Sequence, residues 1–221
     1  MQLALFDLDH TLIPFDSGMA WTRHLMRVGA LDAQAERRYL AFCHQYVAGT
    51  LDIHAMHRAS MAPLQAFSAA QLQDWRAGFE RDMALQLPLA MRDLVARHRD
   101  CGALCAIVTA TSRWVAEPIA RAFGIDHLLA TDCEVRDGVP DPEIRGLPCY
   151  REHKLTRVRD WLASWQPRPL AWVDFEATWF YSDSMSDLPL LQAVSHPVAV
   201  RPDERLRAHA SAQGWRVIDS N

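Results

Sequence analysis

The segment LALFDLDHTL places two carboxylates and a hydroxyl, Asp7, Asp9 and Thr11, directly after an apolar run over residues 3–6. Two negative charges so close together repel unless a cation or a proton stands between them. The segment itself holds no positive charge. Three other segments carry groups that could join it: Thr109 closes the β-branched run ALCAIVT, Lys154 opens a predicted helix in YREHKLTRV, and Asp183 and Asp187 follow the apolar run TWFYS. Each has a plainer reading when taken alone. The first segment could be a turn with a helix cap, Thr109 a strand end, Lys154 a solvated lysine, and Asp183 with Asp187 two caps of one helix, whose dipole favours a carboxylate.

These groups need elements to carry them. A short apolar run behind Met-Gln suits a strand buried on both faces of a parallel sheet, and open α/β sheets bind ligands beyond the carboxyl ends of such strands. Further strands are predicted at 103–109, 127–135, 170–175, 178–182, 197–200 and 215–218, with helices at 112–124, 153–164, 186–194 and 203–213. This alternation predicts an α/β fold, a Rossmann-like parallel sheet flanked by helices. Residues 17–98 read almost wholly as helix, with Trp21, Leu25 and Val28 on one stripe and Leu40, Cys43 and Val47 on another. Ser68 with Gln71 forms a capping-box signature, and Gly29 and Gly49 are helix stops. The helical block is then an inserted α-helical cap at 16–87, between core segments 1–15 and 88–221.

The order FDLDHT, AIVTATS, HKL and YSDSMSDLPLL resembles the haloacid dehalogenase superfamily, and the helical insert after the first motif resembles its phosphoserine-phosphatase-like branch. The resemblance implies that Asp7 attacks phosphorus and forms an aspartyl-phosphate. It implies that Asp9 protonates the leaving oxygen and then activates water. Mg²⁺ would be held by Asp7, Asp183 and the backbone carbonyl of Asp9. Phosphate would be bound by Thr109, Lys154 and the N–H groups of Leu8 and Ala110. Asp187 would orient Lys154 or a metal-bound water, and Thr11 would support the loop. Many relatives carry a glycine two or three residues before the lysine, where this chain has CYREHK, so Arg151 is the substitute if Lys154 is not the phosphate lysine.

Substrate choice falls to the cap. Asp16, Ser17 and Trp21 in PFDSGMAW lie near a leaving group, although Asp16-Ser17 serves equally well as a helix cap. One acidic and one aromatic wall would favour a small amine-bearing monoester such as phosphoserine or histidinol phosphate. A phosphomutase would keep all four motifs, whereas a non-catalytic phosphate-binding module would need neither a nucleophile nor an acid, so Asp7, Asp9, Lys154 and Asp183 speak against it. A dehalogenase is disfavoured, because it needs neither Asp9 nor Asp183.

Composition narrows the remaining classes. The chain has 221 residues, half of them hydrophobic, enough for a sizeable core. A net charge of -4 without a basic block argues against nucleic acid as a partner. No apolar stretch suits a membrane span, and MQLALFDLD has no secretory leader pattern, so a cytoplasmic protein is expected. The five cysteines lack CxxC spacing and are expected as reduced, mostly buried thiols. His54 and His57 are expected as surface or half-buried imidazoles, and Trp161, Trp165, Trp172 and Trp179 as core or subunit-contact residues. The expected partner is a small phosphorylated metabolite, and the expected state is a monomer or a homodimer.

Overall fold

The computed structural model describes residues 1–219; residues 220 and 221 of the expected core lie outside them. Its centre is β1 (Gln2–Phe6), whose Leu3, Ala4, Leu5 and Phe6 are fully buried. Side chains alternate across a strand, so Ala4 and Phe6 enter one hydrophobic cluster while Leu3 and Leu5 enter the other. The N-terminal run is therefore apolar throughout because both faces of its strand are covered.

After β1 the chain builds α1 (Ser17–Arg27), α2 (Ala35–Ala48), α3 (Ile53–Met61), α4 (Ala69–Ala84) and α5 (Leu89–Asp100) before it returns to the sheet. The core alternation follows: β2 (Leu104–Ser112), α6 (Arg113–Phe123), β3 (His127–Thr131), β4 (Cys133–Arg136), β5 (Val139–Ile144), α7 (Glu152–Ala163), β6 (Ala177–Ser182), α8 (Leu188–Leu191), β7 (His196–Val200), α9 (Glu204–Gln213) and β8 (Arg216–Ile218). Six strands form one sheet in the order β3-β2-β1-β6-β7-β8, every pairing parallel. The connections leave β1 toward β2 on one side and β6 on the other, which opens a crevice at its carboxyl end. Helices α5 and α6 cover one face together with much of the insert; α7, α8 and α9 cover the other.

Local signals are realised where they are strong. Ser68 and Gln71 form the reciprocal capping box of α4, Gly49 ends α2 in a left-handed conformation (φ 73°), and α6 continues through Pro118. Trp161, Trp165 and Trp172 pack against one core cluster and Trp179 against the other.

Several expectations are corrected. No strand forms at 170–175. Trp172–Asp174 is instead a single tight turn, because the Asp174 carboxylate captures the Ala171 N–H at 2.7 Å and takes Arg168 at 3.0 Å. The place beside β1 goes to β6. The strand expected at 127–135 breaks at Asp132, and β4 pairs antiparallel with β5 as a separate hairpin. Its turn is Asp137-Gly138, both with positive φ (50° and 81°), the type of hairpin turn that an Asp-Gly pair favours. The helix expected at 186–194 contracts to a tight turn at Met185–Asp187 and α8. Val28 lies past the end of α1 and is exposed, unlike Trp21 and Leu25. His57 is buried rather than at the surface. Of the free thiols only Cys105 and Cys149 are buried.

Asp132 ties the end of β3 to two helices. Its Oδ1 takes Arg113 Nε at 2.5 Å, and its Oδ2 takes Arg157 Nη2. Burial alone would raise this carboxyl, but the Arg157 and Arg113 guanidinium groups outweigh it and hold its pKa below the usual carboxylate range. A depressed native pKa contributes stability that is fully present above the unfolded value near 3.9 and disappears as pH falls through the native one. Asp132→Asn should therefore lose about 2 kcal/mol at pH 7, the typical net worth of hydrogen bonds to charged groups. Solvent screening of the half-exposed Arg113 keeps the figure from being larger. Urea unfolding checks this: the gap from wild type should begin to narrow as pH falls below about 4, and a gap independent of pH would refute the ionic origin.

Candidate active site

Asp7 follows the last residue of β1, and its N–H donates to Tyr181 O at 2.9 Å, so the turn after β1 starts in register with β6. The chain then makes a wide turn over Leu8–Leu12, closed by Ile13 N–H donating to Leu8 O at 3.1 Å. His10 inside it has a φ of 57°, a left-handed conformation costly for a non-glycine residue. Arg201 Nη2 holds the turn by donating to the carbonyls of His10 at 2.9 Å and Thr11 at 2.7 Å. Asp7 and Asp9 are thereby aimed differently although only one residue separates them.

Lys154, in the first turn of α7, is 2% exposed and donates to Asp7 Oδ1 at 2.8 Å and to Asp187 Oδ2 at 2.7 Å. Burial works against its charge, but the Asp187 and Asp7 carboxylates outweigh that and hold its pKa well above the ordinary lysine range. Ser182 Oγ donates to the same Asp187 oxygen at 2.7 Å. Arg151 is not the cation at this position: its Nη2 donates to Gly49 O at 2.7 Å and its guanidinium lies over the Tyr150 ring.

Thr11 Oγ1 lies 3.0 Å from Asp7 Oδ2 and 3.4 Å from Asp183 Oδ1, and accepts the Asp183 N–H at 3.1 Å. One hydroxyl thus gathers the ends of β1 and β6. Burial first, then the negative charges of Asp7 and Asp187, push the Asp183 carboxyl well above its usual range. Hard carboxylate oxygens that disfavour their own charge are suited to a divalent cation such as Mg²⁺, and the residues that could hold it are Asp7, Asp183 and the carbonyl of Asp9. Among the described residues no cluster of three or more His, Cys, Asp or Glu side chains suits a metal, and a set of two carboxylates and a carbonyl is not such a cluster.

Asp9 turns away from this group. Its Oδ1 accepts the Ser17 N–H at 2.8 Å, and its Oδ2 accepts the Thr111 hydroxyl at 2.6 Å. Burial, then the nearby Asp16 charge, push its pKa up to about 6 against those hydrogen bonds. Pairing between β2 and β3 is irregular from Val108 to Ser112, and Thr109, Ala110, Thr111 and Ser112 all line the site there. A regular strand would turn alternate side chains away. Thr111 N–H donates to Thr109 Oγ1 at 3.2 Å, which leaves the Thr109 proton for another acceptor.

These groups form the floor of a cavity of about 970 Å³ between the carboxyl ends of the central strands and the cap. Asp7, Asp9, Asp16, Trp21, Thr109, Ala110, Lys154 and Asp183 line it; Leu8, Ser17 and Asp187 do not. Ser17, expected beside a leaving group, is fully buried and bonds Asp9 instead. Asp16 does cap α1, its Oδ1 accepting the Met19 N–H at 2.7 Å and the Tyr39 hydroxyl at 2.9 Å. A Cβ on Gly18 would lie 1.9 Å from that hydroxyl, so glycine is needed for the close approach of Tyr39.

Tyr39, Tyr46 and Thr111 were not among the residues singled out from sequence. Tyr46 in α2 joins the cap to the Asp183 loop through its hydroxyl, 3.2 Å from Ser184 Oγ and 2.9 Å from Ser186 Oγ. Tyr39, Cys43 and Tyr46 recur at i, i+4 and i+7, a periodicity that could have marked this face of α2. The stripe of Leu40, Cys43 and Val47 is not core. It lines the cavity, with Val47 83% exposed.

A parallel sheet that delivers three carboxylates and a lysine to the floor of one capped cavity defines an enzyme. The chain belongs to the haloacid dehalogenase-like hydrolases, whose family model matches residues 4–192. It is 36% identical to a protein named histidinol-phosphatase from Neisseria meningitidis serogroup C (strain 8013), over 98% of each chain. It is 29% identical to one named phosphoserine phosphatase from Mycobacterium tuberculosis (strain ATCC 25618 / H37Rv), over 98% of this chain and 70% of that one. Among solved structures it resembles a protein of unknown function from Bordetella pertussis Tohama I, with 45% identity, a TM-score of 0.90 and coverage of 99% and 98%. A substrate-bound phosphoserine phosphatase, 15% identical with a TM-score of 0.66 over 99% and 92% of the chains, shares the fold. Among the described residues no helix is long and apolar enough to cross a membrane.

Proposed function

We propose that the chain is a Mg²⁺-dependent phosphatase acting on a small phosphate monoester whose leaving group carries a cation and no carboxylate, closer to histidinol phosphate than to phosphoserine. The observation that carries the phosphatase reading is the division of the aspartates. Asp7 is paired with Lys154 and shares a hydroxyl with Asp183, whereas Asp9 is held apart on Ser17 and Thr111.

In this reading an Asp7 oxygen attacks phosphorus as the bond to the leaving oxygen breaks, and Asp9 gives that oxygen its proton. Water then attacks phosphorus, passes a proton to Asp9 and releases phosphate from Asp7. Thr109 donates to a phosphoryl oxygen, and Lys154 offsets the charge on Asp7 and the transferring group. Bound Mg²⁺ supplies further positive charge at that group.

The substrate reading rests on the cavity wall. Asp16 Oδ2 makes no hydrogen bond among the described residues, and Trp21 lies on the same helix. Of the arginines that line the cavity, Arg23 is 60% exposed and bound to Glu36 and Arg151 is bound to the Gly49 carbonyl, while Arg205 lies exposed to solvent. The relative named histidinol-phosphatase agrees with this preference.

A screen of phosphorylated metabolites, reading released phosphate with Mg²⁺ or with EDTA, tests both parts. Amino-alcohol phosphates should exceed phosphoserine about tenfold or more in kcat/KM, as enclosing a carboxylate that meets no cation implies. Equal turnover of sugar and amino-alcohol phosphates would overturn the substrate reading. Release from no monoester would overturn the phosphatase reading.

A further inference from the structure

We infer that Thr111 is a positioning residue, acting through Asp9 to hold its carboxyl for proton transfer to the leaving oxygen. The inference rests on the reading of Asp9 as the proton-bearing group. Among the described residues the Asp9 carboxyl is held from two elements: Ser17 N–H at the start of α1 donates to Oδ1 and Thr111 Oγ1 at the end of β2 donates to Oδ2. Together they fix the carboxyl plane, since a carboxylate held at one oxygen still turns about its Cβ–Cγ bond.

Thr111 is itself held from two sides. Its hydroxyl lies 3.3 Å from Ser17 Oγ, which is fully buried, and its N–H donates to Thr109 Oγ1. The same residue therefore orders the Thr109 hydroxyl through its backbone and the Asp9 carboxyl through its side chain. A valine at 111 keeps the backbone bond and the branched shape but removes the donor to Asp9. A serine keeps the donor. The hydroxyl contribution can thus be separated from the strand geometry.

The step it serves breaks the phosphorus–oxygen bond to the leaving group while the bond from Asp7 forms and the Asp9 proton moves to the departing oxygen. A phenolate of low pKa departs with little help from an acid, whereas an alkoxide requires it. The ratio kcat/KM reports only steps through release of the leaving group, so water attack does not enter it.

Wild type, Thr111→Val, Thr111→Ser and Asp9→Asn should be compared on p-nitrophenyl phosphate and on glycerol 2-phosphate with Mg²⁺. Thr111→Val should lose about tenfold more kcat/KM on the alkyl ester than on the aryl ester, with Thr111→Ser recovering most of it. In an Asp9→Asn background, Thr111→Val should add little to the alkyl loss, because it acts through that carboxyl. Equal losses on the two esters, or additive losses in the double variant, would overturn the inference. If Asp9→Asn itself shows no greater loss on the alkyl ester, the reading of Asp9 fails instead.

Discussion

Asp7→Asn should release no phosphate above background, a loss of at least about 10³-fold in kcat, because an amide cannot form the covalent intermediate. The same variant should be no less stable than wild type. Asp7, Asp187 and Lys154 meet in a buried group with two negative charges and one positive. The amide leaves one carboxylate for one ammonium, so the surplus charge is removed. A gain on the order of 1 kcal/mol is expected, in the range of single stabilising substitutions. Phosphate release and urea unfolding on the same preparation check both halves. Residual turnover near wild type would rule out covalent attack by Asp7, and a large loss of stability would show that the pair with Lys154 is a net support of the fold.

Lys154→Met should damage both properties. Its ammonium contacts both carboxylates at 2.8 and 2.7 Å and is nearly inaccessible to solvent. Methionine fills a similar volume but leaves Asp7 and Asp187 facing each other without a counter-charge. Breaking a buried ionic group in this way costs about 3–5 kcal/mol. Turnover should fall by about 10²-fold or more, since a preorganised charge beside the transferring group is lost. The midpoint of urea unfolding and the rate of phosphate release are the measurements. A midpoint shifted by less than the equivalent of about 0.5 kcal/mol, the ordinary scatter of surface substitutions, would contradict the placement of Lys154 between the two carboxylates. The pair of variants is informative because they move stability in opposite directions while both remove activity.

What could be read from the chain depended on how local the signal was. The apolar run before Asp7 is a doubly covered strand, and such a run looks the same wherever it sits in a parallel sheet. Ser68 with Gln71 and Gly49 act within one helical turn of themselves, so their outcomes follow from neighbours in sequence. The run at 170–175 was equally apolar, but Asp174 turns back on Ala171, and the place beside β1 goes to the next segment, β6. The hairpin of β4 and β5 carried a legible Asp-Gly turn, yet the run from residue 127 hid the break at Asp132. On α2 a helical stripe of apolar residues was visible, but whether it met core or cavity depended on what lay opposite.

By itself the sequence determined that this protein is an α/β chain with a helical insert, and which aspartates, threonine and lysine close its strands and open its helices. These follow from hydrophobic periodicity and capping, which act over a few residues. Only the tertiary structure decided that Lys154 rather than Arg151 meets Asp7, that Ser17 serves Asp9 rather than the cavity, and that Thr111 joins them. The contacts of Thr111 with Asp9 and of Lys154 with Asp7 join residues 102 and 147 positions apart, which the strand order of a parallel sheet brings together and no short window of sequence contains.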